Sequence, residues 1–255
     1  MFKKITIITT LTLLVLLGVS ATAQAGATMG MGAKFAWDNY KTAILDYGSS
    51  EATPAMRSID YSSPRFGGNF QLGLLERRLV LAIDMDMGIF SNTIYPLTSA
   101  TAGTDYETKV KFVKFQIGVE AKFHILQPET HKATPYLFLG LGKAFGKASA
   151  DDLYNPATQQ QVDDWNAQLK MYSKLASPFY FQLGVGAEFF AADAFSVGAD
   201  IFGFRMEIAK ADVGYSTDPA FSGVQKYVNF YMYSSLNVNF SFGGAAAKAE
   251  ASEEA

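Results

Sequence analysis

The sequence predicts an all-β chain, an eight-stranded antiparallel up-and-down transmembrane β-barrel, and three observations lead there. Apolar and polar residues alternate with period two through eight separate segments. The connections between those segments alternate between short and long. One apolar run opens the chain, and no second run of that length follows it. Successive residues of a strand face opposite sides of a sheet, so sustained alternation reports one apolar and one polar environment. In a barrel that crosses a bilayer the apolar face is the outer one.

The opening run is a secretory signal by its grammar. Lys3 and Lys4 precede an apolar stretch at 5–19, and the small residues Ser20, Ala21, Thr22, Ala23 and Ala25 follow. A basic start, a short apolar centre and an A-x-A site mark a cleaved peptide, with cleavage after Ala23 or Ala25. The run is shorter than the roughly 20 apolar residues of a spanning helix. The expected organisation is therefore a signal peptide at 1–25, a barrel at 26–242 and a disordered acidic periplasmic tail, GGAAAKAEASEEA, at 243–255. The absence of cysteine rules out disulfides and thiolate chemistry. A net charge of −3 is too small to argue for nucleic acid or any strongly charged partner, and no nucleic acid is expected.

The first segment sets Met29, Met31, Ala33, Phe35 and Trp37 against Thr28, Gly30, Gly32, Lys34 and Ala36. The second sets Phe66, Phe70, Leu72 and Leu74 against Arg65, Asn69 and Gln71, and the third Leu79 to Ile89 against Ala82, Asp84 and Asp86. Val113, Phe115, Ile117, Val119 and Phe123 of the fourth oppose Lys114, Gln116, Glu120 and Lys122. In the fifth, Leu137, Leu139 and Leu141 oppose Tyr136 and Phe138. The sixth is the most regular, with Phe179, Phe181, Leu183, Val185 and Phe189 against Tyr180, Gln182 and Glu188. The seventh, expected at 195–206, is less clean: Val197, Ala199 and Ile201 oppose Ser196, Gly198 and Asp200. The eighth sets Val228, Phe230, Met232, Leu236, Val238, Phe240 and Phe242 against Asn229, Tyr231, Tyr233, Asn237 and Asn239. Each segment is near the roughly 10 residues that cross a bilayer at a tilt.

Short connections fall at 76–78, 125–133 and 190–194, and long ones at 38–63, 91–108, 147–177 and 207–226. Short periplasmic turns and long extracellular loops give this asymmetry. The third long loop carries a helix signal. Asn155 is placed to cap, Pro156 to open, and Val162, Trp165, Leu169 and Tyr172 recur on one stripe of a helix expected at 157–174. The helix is expected to project beyond the membrane or lie over the barrel mouth, its stripe either packing on neighbouring loops or meeting a partner, lipopolysaccharide or a ligand. Aromatics near strand ends, such as Trp37, Tyr61, Phe90, Tyr95 and Phe179, are expected in interfacial girdles.

These residues carry a family resemblance. The stretches TPYLFLGLGKAFG at 134–146 and FYFQLGVGAEFF at 179–190 resemble the small bacterial outer-membrane barrels typified by the OmpA membrane domain and OmpX. The closing NFSF, with Phe240 and Phe242, is similar to the C-terminal signal read by the barrel-assembly machinery. The resemblance implies the outer membrane of a Gram-negative bacterium, with loops outside the cell and both termini in the periplasm. It also implies a monomer whose partners are outer-membrane lipid and lipopolysaccharide, the assembly machinery and periplasmic chaperones.

Among candidate functional residues, Lys34, Arg65, Lys114 and Lys122 share the interior with Asp84, Asp86, Glu120, Glu188 and Asp200. Buried charges are costly unless paired, so a salt-bridge network plugging the lumen is expected. An eight-stranded interior is just wide enough for side chains to fill. Asp84 and Asp86 lack the further oxygens that calcium needs, and His124 and His131 lack metal-ligand spacing, so no metal is expected. The two histidines are expected as exposed or hydrogen-bonded turn residues. No serine nucleophile motif, Walker loop or dinucleotide fingerprint appears, and no cofactor or enzymatic activity is expected. The expected function is a non-enzymatic outer-membrane protein with an envelope-structural or surface-interaction role. The alternative is a narrow pore or small-solute transport protein.

Overall fold

A computed structural model of the chain describes residues 27–39, 64–94, 108–150, 159–213 and 223–242. The strands are β1 Thr28–Asn39, β2 Pro64–Leu74, β3 Leu79–Ile94, β4 Thr108–His124, β5 Ala133–Ala150, β6 Phe179–Ala192, β7 Phe195–Val213 and β8 Gly223–Phe242. One helix, α1 Gln159–Leu175, lies between β5 and β6. Each strand pairs antiparallel with its chain neighbour, and β1 closes on β8 from Met29↔Phe242 to Asn39↔Met232. Closure removes the free sheet edges, the condition under which a sheet can sit in hydrocarbon.

The alternation resolves into two faces of opposite chemistry. Leu137, Leu139 and Leu141 are 50%, 62% and 53% exposed, whereas Tyr136 and Phe138 between them are buried. The same inversion recurs on every strand, with Phe66, Phe70, Met87, Phe181, Leu183, Met232 and Leu236 outside. A water-soluble domain rarely exposes apolar surface of such extent. Against lipid tails it is simply the solvated face. Inside, glycines make room for rings: a Cβ on Gly118 or Gly142 would collide with the Tyr180 phenol, and one on Gly186 with Tyr136.

Several expected boundaries shift. The strands run from 11 residues in β2 to 20 in β8, longer than the roughly 10 that suffice to cross. The wall therefore continues past the apolar band on the side of the long loops. β5 extends to Ala150, and β8 begins at Gly223. β7 runs on to Val213, so Glu207 is a strand residue rather than the start of a loop. The register of β7 against β8 slips between Asp200 and Gly203, and Ile201 and Phe202 both face outward. One extra residue inverts the inside–outside phase of everything after it. Phe90 is another correction: instead of joining a girdle it stacks on the buried Phe112, with centroids 4.9 Å apart. The expected signal peptide, acidic tail, helix cap at Asn155–Pro156 and girdle residues Tyr61 and Tyr95 lie outside the described residues.

The β2–β3 turn holds three consecutive non-glycine residues at positive φ: Leu75 at 51°, Glu76 at 54° and Arg77 at 63°. Left-handed backbone costs an L-residue roughly 1–2 kcal/mol. Arg77 anchors the turn by donating to the Asp193 carbonyl at 2.7 Å, and Gln127 donates to Glu76. Leu75 has no such duty and is 69% exposed. Leu75→Gly is expected to stabilise the barrel by about 0.5–1 kcal/mol, net of glycine's greater unfolded-state entropy. The check is the urea midpoint of unfolding in lipid vesicles, which should rise.

Candidate functional site

The inward faces of the strands stack into a polar column, closed at one end by short turns and at the other by α1. At the turn end His124 is hydrogen-bonded, one of the two expected outcomes, but as the fully buried last residue of β4 rather than as a turn residue. Its Nδ1 lies 2.8 Å from the Arg77 carbonyl oxygen and its Nε2 2.9 Å from Glu188 Oε2. Glu188 Oε1 also accepts from the Ser196 hydroxyl and, at 3.0 Å, from the Asn239 amide. His131 stays exposed on the turn.

At the centre Lys34 Nζ stands among three carboxylates, 3.6 Å from Asp84, 3.8 Å from Glu120 and 3.8 Å from Asp200. Lys122 reaches Glu120 at 3.5 Å, and Gln182 donates to the other Glu120 oxygen at 2.7 Å. Asp200 accepts from the Tyr136 hydroxyl at 2.7 Å and from Ser235. The three carboxylates thus surround one ammonium. Farther along the bore, Arg65 pairs with Asp86 at 2.8 Å and Lys114 with Glu207 at 2.7 Å. Arg205 stacks 3.6 Å from the Tyr180 ring centroid, donates to Gln116 and lies 3.3 Å from Glu207.

All nine ionisable residues expected in the lumen are buried there, and the structure adds Arg205, Glu207 and His124 to them. Among the described residues, five cations and six carboxylates share the interior, so charges of opposite sign nearly cancel within one column. Each ion is taken from water at a cost of several kcal/mol, which only close partners offset. Arg205 and Glu207 escape a fixed-phase reading because the β7 bulge precedes them. The signal was nonetheless present: apolar residues move from odd positions (Val197, Ala199, Ile201) to even ones (Phe204, Met206, Ile208).

Beyond the charges the bore turns apolar. Val110 and Phe112 of β4, Ala148 of β5, and Ala209 and Ala211 of β7 face inward and form a cluster with Trp165, Met171, Tyr172 and Leu175 of α1. The stripe expected on the helix is turned to this wall: Trp165 and Tyr172 are buried, Leu169 packs against the cluster, and Val162 is half-buried.

The helix also occupies a notch in the wall itself. β6 begins only at Phe179, so β5 pairs with it up to Lys143↔Phe179, and β7 up to Ile208↔Phe179. Above that row the β5 edge is met by the helix and the short link that follows it. Ser173 Oγ accepts the Ala148 N–H at 2.9 Å, Ser177 Oγ the Gly146 N–H at 2.8 Å, and the Pro178 carbonyl the Ala144 N–H at 2.9 Å. Unpaired backbone donors of an edge strand are thereby satisfied. At the opposite end of the barrel Phe240 and Phe242 face outward on β8, opposite Met31 and Met29 of β1.

Residues 10–242 match the family model described as outer membrane protein beta-barrel domain. No curated protein is significantly similar in sequence. Among solved structures, the chain is similar to Neisserial surface protein A (15% identity, covering 84% of this chain and 97% of that one, TM-score 0.36). It is also similar to the outer membrane protein OprG of Pseudomonas aeruginosa (10%, 86% and 97%, TM-score 0.46). A third is Ail, the attachment invasion locus protein of Yersinia pestis (11%, 85% and 97%, TM-score 0.38).

Proposed function

From the premise that this chain belongs to the outer membrane protein beta-barrel domain family, we propose that it is a non-enzymatic anchor of the outer membrane. It presents four loops outside the cell and keeps its lumen plugged. What supports this reading is the set of side chains that occupy the bore among the described residues. Paired charges occupy its turn end and centre, and α1 occupies the apolar part beyond them. The space lined by Thr28, Gln71, Val80, His124 and Glu188 amounts to about 20 Å³, the room of one water. The lumen's acids and bases are spent on one another, which favours a structural over a catalytic role. Any recognition then falls to the loops. The partners proposed for the body of the barrel are outer-membrane lipid and lipopolysaccharide, with periplasmic chaperones and the assembly machinery during insertion, and no second subunit.

Planar-bilayer recording tests the plug. The wild-type barrel and a Trp165→Ala/Tyr172→Ala variant are both expected to be electrically silent, because the charge network still blocks the bore once the helix loosens. Proteolysis of the helix-bearing loop should accelerate about tenfold or more in the variant, since helix docking bears the lost burial. Reproducible open steps in the wild-type protein would instead favour a narrow solute pore.

A further inference from the structure

The notch between β5 and β7 leaves a groove of about 490 Å³ on the outer side of the barrel, where α1 does not fill it. Its floor is the in-register row Lys143–Phe179–Ile208, whose members sit on three adjacent strands. Phe179 and Ile208 are exposed and continuous with the lipid-facing surface below them. Lys174 of the helix and Lys210 of β7 line the groove from above, and both are exposed. Lys143 is held in place: its ammonium donates to the Ser177 carbonyl and lies 4.2 Å from the Phe179 ring centroid. Three lysines therefore line one groove with an apolar floor, and among the described residues no carboxylate lines it.

We propose that this groove holds the phosphate headgroup of a bilayer lipid, with its acyl chains lying on Phe179 and Ile208. A free soluble anion would have no use for an apolar floor in the lipid-facing wall. An uncharged lipid would have no use for three lysines lining one groove. The groove lies at the loop end, so the matching lipid is the phosphorylated glycolipid of the outer leaflet. Lys143 reaches the headgroup from the strand side and Lys174 from the helix. The bound lipid thereby bridges wall and plug across the place where β6 is missing.

This site rests on the proposed orientation, loops outward, which surface proteolysis of whole cells reads separately. The purified full-length barrel is placed in phosphatidylcholine nanodiscs and titrated with bisphosphorylated lipid A, with native mass spectrometry counting retained lipid. Lys143→Gln/Lys174→Gln/Lys210→Gln is expected to weaken retention by about tenfold or more, given the effect of each basic residue at an anionic surface. The corresponding triple Arg variant should retain the lipid. Lys109→Gln/Lys111→Gln/Lys132→Gln, the same charge change away from the groove, should leave retention within about twofold, since screening weakens distant charges. Heat-modifiable gel migration confirms that each barrel is folded. Equal loss in both Gln variants, equal retention of dephosphorylated lipid A, or displacement by inorganic phosphate would overturn the proposal. In a barrel shown to face loops outward, such a failure removes the lipid site and leaves the anchor reading standing.

Discussion

Lys34→Met is expected to destabilise the barrel by about 3–5 kcal/mol, the usual cost of removing one partner from a buried ionic cluster. Lys34 is the only cation within 4 Å that Asp84 has among the described ion pairs, and it also serves Glu120 and Asp200. Methionine fills a similar volume, so packing is nearly conserved and the loss is electrostatic. Among the described ion pairs, Glu120 then keeps Lys122, whereas Asp84 and Asp200 keep no cation within 4 Å. Equilibrium urea unfolding in lipid vesicles measures the effect, using the fluorescence of Trp37 on the lipid-facing side of β1. Adding Asp84→Asn to Lys34→Met should recover part of the loss, because it removes a carboxylate that no longer has a partner. A loss under about 1 kcal/mol would mean that water, not Lys34, solvates these carboxylates.

The second large effect lies on the other face. Leu183 is 53% exposed near the middle of β6, in register with Leu139 of β5 and Phe204 of β7, both also outward. Leu183→Arg puts a guanidinium at the centre of the apolar band, where the cost is about 2–4 kcal/mol. The same change at Phe179, at the strand end, should cost only about 0–1 kcal/mol. The ratio between the two sites is the informative quantity. On a water-facing surface both substitutions would fall within about 0.5 kcal/mol of neutral. Unfolding midpoints of the two variants in vesicles separate the cases.

The barrel was legible in the sequence because its two faces obey opposite rules at a spacing of two. Along β6, Phe179 to Phe189 alternate so cleanly that the buried set (Tyr180, Gln182, Glu188) follows from parity alone. The lumen charges of β1 to β4 follow for the same reason. Parity fails where the backbone breaks it. The β7 bulge admits Ile201 and Phe202 side by side on the outside, and with the phase inverted Arg205 and Glu207 enter the lumen unannounced. His124 stands beside residues that read as a turn, yet it ends β4 with its ring inside. The helix stripe was visible as a 3.6-residue pattern, but no periodicity says which wall receives it. That depends on how far Val110, Phe112, Ala148, Ala209 and Ala211 carry the strands beyond the bilayer. The notch depends on β6 starting late, at Phe179, a matter of register between strands far apart in the chain.

The most direct test is a nitroxide accessibility scan along β6, which is simple here because the chain contains no cysteine of its own. Single substitutions such as Gln182→Cys, Leu183→Cys, Val185→Cys and Glu188→Cys are labelled in barrels reconstituted into bilayers. Collision with oxygen dissolved in the lipid should be high at 183 and 185 and low at 182 and 188, with a polar nickel reagent excluded from all four. The inverse pattern, with 182 and 188 open to lipid and 183 and 185 shielded, would contradict a barrel that wears its apolar residues outside and encloses its charges.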